Sequence, residues 1–544
     1  MSSPSQVSPQ GSEDRSSPGE LTLRALVTGA LLGAILTPCN VYAGLKIGWS
    51  FNMSITALLL GFLFWRLLVR PFAARPWEIL ESNISQTTAS SAASIISGGL
   101  VAPIPALALV SGVILAPGPL IAWVFAVSFL GVWVAWYLRV PLLYRSGLAY
   151  PAGTVTAETM VELFGHGRAA MQRVKVLLSA AVVSGGIKGL DTLLWTIPRW
   201  SPGALPAKLT FAFDPSLLLT GFGAIIGLRA GLSLLGGALV AWGMVTATVT
   251  TLVANLLKRR RHRIAGDDLP VTESHRITRL GALLGAAVLV IVLEVAVMGI
   301  GIGAALASIP MAFFLAAVVG RVVGETGIPP IGAVGKLSQL SFAVIAPAQA
   351  TTNLMTANVA GGAAGQTADL LNDFKCGIAV GASPGRQVAA QCVGIATGSV
   401  VGSLVYLSLV PDPQSMLLTA EWPAPAVATW KAVAEMLTDG LGAVPRSAMI
   451  AMLLAALAGT VLGVLDAVLP TDKLRFVPSA SALGLAFVIP ASTSLGLFYG
   501  AFLAALLTRF FRRWSKAYLL AAAAGLVAGE SLMGVILAGL SMTA

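Results

Sequence analysis

A polar stretch lies inside an otherwise apolar chain. Residues 77–99 read WEILESNISQTTASSAASIISGG, whereas 56% of the whole chain is hydrophobic. A bilayer core holds no water to satisfy these hydroxyl and amide groups, so they must face other helices or a wet cavity. The stretch therefore predicts a polar path through a membrane protein, although each Ser or Thr alone could serve helix packing.

Composition defines the class of protein. Only 10% of the 544 residues are charged, and the mean hydropathy is +0.85. A soluble globule of this composition would lack the polar surface that solvates it. Segments such as 280–297 and 449–468 are largely apolar over a bilayer's width, unlike the alternating strands of a membrane barrel. We expect an all-α polytopic membrane protein with about 12 to 16 transmembrane helices.

Charge placement predicts the organisation of the chain. Residues 1–22 are rich in Ser, Pro and Gly and predict a disordered cytoplasmic tail. A basic loop, 258–276, separates a first transmembrane half (23–257) from a second (277–544). Because basic residues cluster in short connections, the positive-inside rule predicts a plasma (inner) membrane protein with a cytoplasmic N-terminus. The same clustering accounts for the net charge of +11 without a nucleic-acid partner. The acidic segment 411–425 is a candidate external loop.

Glycine and proline predict interrupted helices. They are concentrated at 36–44, 327–335 and 478–494, and discontinuous helices commonly build transporter sites near the bilayer midplane.

Weak internal similarity suggests a duplication. Segments 45–62, 228–243 and 485–502 share a small residue, apolar residues, a Ser and a Gly-containing apolar run. The chain is therefore interpreted as a repeat around the basic loop. The alternative is that small residues at four-residue steps only allow helices to pack closely.

Polar and basic residues in the breaks predict a substrate path. Lys46 and Lys336 lie in Gly-rich breaks, where each could meet a carboxylate, or could extend to the inner interface. A second polar block spans 351–375; its first half predicts pore lining, and 369–375 the solvated end of a helix. The predicted substrate path comprises Asn40, Tyr42, Lys46, Asn83, Gln86, Thr87, Thr88, Lys336, Asn353 and Asn358.

Carboxylates in apolar surroundings predict proton coupling. Burial disfavours the charged form of a carboxylate, so it can exchange a proton when it is reached from each side in turn. Glu81, Glu158, Glu325 and Glu530 lie in or beside apolar segments. Glu294 is isolated in an apolar run and is either a proton site or a packing contact.

Five segments carry a family resemblance. They resemble the signature blocks of the oligopeptide transporter family, which includes the yellow stripe-like metal-chelate transporters. The resemblance implies a proton-coupled symporter with about sixteen helices that moves small peptides, peptide derivatives or metal chelates. The NPG and KIPPR motifs of the peptide-carrying fungal and plant branch are missing, which favours the yellow stripe-like or prokaryotic side. The segments are NVYAGLKIGWSFNMSI (40–55), ESNISQTTASSAASIISGG (81–99), YPAGTVTAE (150–158), GIPPIGAVGKLSQ (327–339) and AGLVAGESLMGV (524–535).

The sequence favours transport over other functions. It shows no phosphate-binding loop, no HExxH and no nucleophile elbow, and its three Cys and three His lack metal-ligand spacing. We therefore expect no enzyme activity, cofactor or bound metal. The prediction is a secondary active transporter, driven by protons, of small peptides or peptide-like compounds; the alternatives are a metal-chelate transporter and a passive channel. Lipid is an expected partner, and the oligomeric state stays open.

Overall fold

The fold is entirely helical in the part of the chain that the computed structural model describes. That part comprises residues 19–47, 53–65, 75–165, 168–201, 212–213, 215–243, 276–419, 422–438, 477–487 and 489–543, with isolated positions between 450 and 465. Nine of its helices are long and apolar enough to cross a membrane, and four shorter apolar helices accompany them. The prediction of an all-α polytopic membrane protein is confirmed.

Eighteen helices of the described residues carry the argument. In the first half they are α1 (Leu23–Ile47), α2 (Ser54–Leu63), α3 (Ile79–Ala93, followed by a 3-10 turn, Ser94–Gly98), α4 (Pro103–Ser111), α5 (Pro117–Arg139), α6 (Pro151–Phe164), α7 (Arg168–Leu193), α8 (Leu217–Ile226) and α9 (Leu228–Gly243). In the second half they are α10 (Arg276–Ala296), α11 (Ile302–Thr326), α12 (Ile331–Ile345), α13 (Ala350–Val380), α14 (Pro384–Leu409), α15 (Pro425–Thr438), α16 (Ala480–Ala486), α17 (Ala491–Phe510) and α18 (Arg512–Thr543).

The helices pack into two bundles with separate hydrophobic cores. The first bundle joins α1–α5 to α10–α15, and its core includes Trp123 and Phe342. The second joins α7–α9 to α16–α18, around residues such as Leu234 and Leu497. Helix α6 lies between them and packs on both α13 and α18. Each bundle therefore draws helices from both halves of the chain.

The first bundle contains the same helix arrangement twice. Helices α1 and α2 pack on α3, as α11 and α12 pack on α13. Helix α14 also packs on α3, as α5 packs on α13. At these contacts Gly394 faces the Thr88 carbonyl and Gly131 faces the Ala363 carbonyl. This correspondence supports an internal duplication, but of the three segments whose sequences suggested it only 45–62, which includes most of α2, belongs to the corresponding helices.

Burial separates lipid-facing helices from enclosed ones. Helix α10 exposes Leu284, Val288 and Val292 at four-residue steps, an apolar face of the kind that meets acyl chains. In α3, by contrast, every residue from 81 to 93 is buried. The polar helix predicted from composition is therefore surrounded by other helices.

Two of the three predicted helix breaks are confirmed. Residues 327–330 separate α11 from α12 within 327–335, and residues 487–490 separate α16 from α17 within 478–494. The prediction at 36–44 is wrong, because α1 continues through Pro38. Proline removes one helical N–H, and neighbouring helices can compensate for it in a membrane protein. Here Asn40 donates to a carbonyl of α3 at 2.9 Å and holds this turn against its neighbour.

The end of the predicted tail is fixed to the first bundle. Residues 19–22 precede α1, and Glu20 is buried. Its carboxylate accepts a hydrogen bond from the Ser383 N–H (2.6 Å) and from the Arg386 guanidinium (2.9 Å), at the start of α14. Residues 1–18 and almost all of the basic loop lie outside the described residues.

Gly394→Ala should destabilise the protein. A Cβ at this position would lie 2.3 Å from the Thr88 carbonyl oxygen, a backbone atom that cannot rotate away. We expect the strain to cost about 1–3 kcal/mol and to lower the thermal unfolding midpoint in detergent.

The matched control for this variant is Gly285→Ala. It adds the same methyl group to a helix with nothing within 4 Å of the new atom, so its midpoint should equal or exceed that of the wild type. Equal midpoints for both variants would show that the close approach of α14 to α3 does not stabilise the fold.

Candidate functional site

The two polar helices α3 and α13 face each other and run antiparallel. Asn83 near the start of α3 donates to the Cys376 sulfur at 3.6 Å. One turn further, Gln86 donates to one carboxylate oxygen of Asp373 at 2.7 Å, and Ser90 donates to the other at 3.3 Å. The polar groups that lipid excludes are thus satisfied by the opposite helix.

Asp373 and Asp369 form a pair of carboxylates in this interface. They lie four residues apart and therefore on one face of α13. The Ser94 side chain lies beside the Asp369 carboxylate, and Ser54 of α2 lies beside that of Asp373. Asp373 is 2% exposed, whereas Asp369 stays partly accessible. Within the described chain, no Lys, Arg or His forms an ion pair with either, so their contacts are neutral donors.

This pair corrects the interpretation of 369–375 as a solvated helix end. Helix α13 continues to Val380 and turns at Gly381, which has a φ of +77°. The signal in the sequence was the four-residue spacing of the two acids, but acidic and amide residues also mark a solvated helix end. Only the opposing polar helix distinguishes the two cases.

The other two predicted path residues of α3, Thr87 and Thr88, make their side-chain contacts within α3 itself. The Thr88 hydroxyl donates to the Ile84 carbonyl of its own helix at 2.9 Å, and Thr87 accepts a weak contact from Gln86 at 3.4 Å. Both threonines are fully buried. Asn83 and Gln86 are therefore the members of the predicted path on α3 that reach α13.

Asn353, Asn358 and Lys336 lie in another part of the first bundle. Asn353 donates to the Gln339 carbonyl of α12, and Asn358 accepts from the Trp123 indole at 2.7 Å. Lys336 is half-buried on α12. Fifteen residues of helix separate Asn358 from Asp373, roughly 22 Å, so the structure does not bring these residues into the carboxylate pair.

The residues predicted near the first break lie along the continuous helix α1. Asn40 is fully buried against α3, and the ring of Tyr42 packs edge-on against Trp422 with centroids 5.6 Å apart. The side chain of Lys46 lies outside the described residues.

Glu81 belongs to an ion pair. Its carboxylate accepts hydrogen bonds from the Arg24 guanidinium and, at 2.7 Å, from the Thr22 hydroxyl. It also accepts from the Glu78 N–H at 3.3 Å and completes a capping box at the start of α3. This geometry describes an anchor that joins α1 to α3.

Two of the remaining predicted glutamates connect helices. Glu325 accepts from Arg321 at 2.9 Å and from Ser479 at 2.8 Å, which connects α11 to α16 and thus one bundle to the other. Glu530 of α18 accepts from Ser216 and from the Leu218 N–H, at 2.8 and 2.7 Å, and caps α8.

Glu294 and Glu158 have fewer contacts. Glu294 is fully buried, and one of its oxygens accepts from Ser308 at 2.8 Å, while the other meets no hydrogen-bond donor among the described residues. Glu158 is half-buried on α6, one turn before Glu162, whose carboxylate pairs with Arg173 at 3.0 Å.

Potential metal ligands are scattered. Among the described residues, no three His, Cys, Asp or Glu side chains lie close enough together to hold a metal ion. Cys39 and Cys376 are buried thiols, and Cys392 is partly exposed.

The chain is similar to one family of known proteins over nearly its whole length. A family model described as OPT oligopeptide transporter protein matches residues 20–262 and 258–541. The iron-phytosiderophore transporter yellow stripe 1 of Zea mays is 23% identical over 94% of this chain and 89% of its own length. Two proteins bear the name "putative oligopeptide transporter": that of Haemophilus influenzae is 25% identical over 92% of each chain, and YGL114W of Saccharomyces cerevisiae is 27% identical over 42% of this chain and 32% of its own.

Removing either partner of the Arg24–Glu81 pair should cost stability through one shared interaction. Glu81 is fully buried, so Arg24→Gln leaves its charge without its cation, and Glu81→Gln leaves Arg24 unpaired. We expect the double variant to be less destabilised than the sum of the two single variants, with a coupling above about 1 kcal/mol. Denaturant or thermal unfolding of the three variants measures it, and strictly additive effects would contradict the anchor.

Proposed function

Since this chain belongs to the OPT oligopeptide transporter family, we propose that it is a secondary active, proton-coupled transporter of small peptides or peptide-like solutes. Membership of the family supports transport across a membrane. The coupling ion and the solute class are the proposal, and they are argued from the residues of α3 and α13.

The carboxylate pair of Asp369 and Asp373 carries the proposal. A carboxylate held away from water exchanges a proton more readily when no cation fixes its charge. Asp373 meets the neutral donors Gln86 and Ser90, and a serine hydroxyl can reorient to accept from a protonated acid. Both protonation states can thus be accommodated in one geometry. Glu158 and Glu294, which the sequence predicted as coupling residues, are the next candidates for the proton site. Glu81, Glu325 and Glu530 rank below them because their carboxylates join or cap helices.

The two-bundle architecture supports alternating access. Separate hydrophobic cores let each bundle move as a unit, with α6 as the element between them. Broken helices occur in both bundles, between α11 and α12 and between α16 and α17. Alternating access typically moves one bundle against another around a site near the midplane.

The solute is proposed to carry both carboxylate and amino groups. Small peptides have them, and so do metal complexes of amino-acid-derived chelators. The nearly full-length similarity to the maize iron-phytosiderophore transporter favours the metal chelate as a second candidate, and the similarity to the Haemophilus protein favours the peptide.

The orientation is proposed from the charges at the helix ends. Arg139 ends α5 and Arg145 follows it, while Arg386 and Arg512 lie in the first turns of α14 and α18. Asp412 lies at the other end of α14, in an exposed loop. By the positive-inside rule the basic ends, and with them the N-terminus, face the cytoplasm of a cell whose inner membrane holds the protein.

Asp373→Asn should abolish the effect of a proton gradient on uptake. In proteoliposomes with an imposed inward proton gradient, the wild type should accumulate labelled tripeptides or ferric chelates, and the variant should lose this stimulation about tenfold or more. Exchange of labelled for unlabelled solute without a gradient should persist, because amides can still bond Gln86 and Ser90. Asp369→Asn should reduce the stimulation as well.

Asp412→Asn is the matched control. A hydrogen bond from the Ser415 hydroxyl lowers the pKa of this exposed carboxyl, so it stays charged at neutral pH and far from the pair. Its variant should respond to the gradient like the wild type. Equal, unsaturable flux with and without the gradient in the wild type would instead indicate a passive channel and refute the coupling.

A further inference from the structure

A cavity of 460 Å³ lies between the two bundles, separate from the carboxylate pair. Its walls come from the link before α6, the first turn of α6, the last turn of α8, one residue of α13 and one face of α18. The volume is within the ~300–1,000 Å³ of typical small-molecule sites. Because its walls belong to both bundles, movement of one bundle against the other would change its shape and access.

Lys375 provides positive charge to this cavity. It is the only charged residue among the described residues of the lining, and its ammonium donates to the Leu148 carbonyl at 3.1 Å. An ammonium has three N–H donors, so donors remain for a ligand.

Ser515 adds a buried polar group to the wall of the cavity. The residue is 7% exposed, lines the cavity, and its hydroxyl has no hydrogen-bond partner among the described residues. A buried hydroxyl without a partner costs free energy, which a bound oxygen atom would recover. Lys375 on α13 and Ser515 on α18 reach the cavity from different bundles.

The end of α8 supplies the opposite polarity. Ala224 and Ile225 line the cavity in the last turn of this helix, which stops at Ile226 before Gly227, with a φ of +83°. The terminal carbonyls of a helix carry a partial negative charge and favour cations.

We infer that this cavity binds the transported solute as a zwitterion, with its carboxylate on Lys375 and Ser515 and its amino group at the carbonyl end of α8. The inference rests on the proposed function for the statement that the ligand is transported. Its electrostatic content rests on the cavity alone, so the two can be tested apart.

The first test measures the charge preference of the cavity without any solute. Leu520 is a half-buried residue of the lining, and Leu520→Cys introduces a thiol there. Anionic sulfonatoethyl and cationic trimethylammonioethyl methanethiosulfonates then label it, with the rate from the three native cysteines subtracted. We expect the anionic-to-cationic rate ratio to fall about tenfold when Lys375→Met is added.

The matched control is Lys431→Met, which removes a lysine paired with Glu435 on the surface of α15. It should leave the ratio unchanged. A ratio that also stays unchanged in Lys375→Met overturns the inference, whatever the transport assays show.

The second test measures binding to the purified protein. Trialanine and its C-terminal amide differ only in the carboxylate, and the wild type should bind the acid about tenfold more tightly. Lys375→Met should remove this preference. Ser515→Ala should weaken binding of the acid severalfold without lowering the unfolding midpoint, since the hydroxyl has no partner to lose. This variant therefore reports on the site even if Lys375→Met folds poorly.

The outcomes separate the two proposals. Gradient-driven uptake of trialanine with the same KM in the wild type and in Lys375→Met would leave the proposed function standing and overturn the inference. The opposite result is that the wild type takes up none of the solutes, while the anionic-to-cationic labelling ratio still depends on Lys375. It would overturn the proposed function and support an anion site in the cavity.

Discussion

The contact between Gln86 and Asp373 joins the two helices around which the first bundle is arranged. Neither α3 nor α13 can present its polar face to acyl chains, because each unsatisfied group there costs several kcal/mol. Facing each other satisfies both, and α1, α2, α5, α11, α12 and α14 then surround the pair. Glycines such as Gly131 and Gly394 follow from the same constraint, since the surrounding helices must come close enough to exclude lipid.

The sequence predicted this fold only as far as local chemistry determines it. Long apolar runs predicted membrane helices, and the composition of 77–99 predicted an enclosed polar helix, because neither depends on a particular partner. Partners distant in sequence could not be predicted. Glu81 looked like a proton site because Arg24 lies 57 residues earlier, and Asp369 looked solvated because α3 lies almost 300 residues before it. The continuity of α1 through Pro38 likewise depends on a neighbouring helix.

The carboxylates of the membrane helices differ in what surrounds them, and their proposed roles follow from that difference. Glu325 meets a guanidinium and Glu530 a helix N-terminus, so each carboxylate is held by partners that join it to another helix or cap one. The contacts of Asp369 and Asp373 are with neutral hydroxyls and an amide, which can serve either form. A residue that must alternate between two protonation states needs the second environment, and one that joins helices is better served by the first.

Asp373 and Lys375 connect the proposed proton site to the proposed solute site through one helix. Two residues along an α-helix rotate a side chain by about 200°, so Asp373 faces α3 while Lys375 faces the cavity beside α18. Under the two proposals, a proton on Asp373 would change which atoms donate in its contacts with Gln86 and Ser90, and a solute on Lys375 would link α13 to α8 and α18 of the second bundle. Both ligands would then bias the position of the same rigid element, and two ligands that favour one position of a shared element bind cooperatively without touching each other.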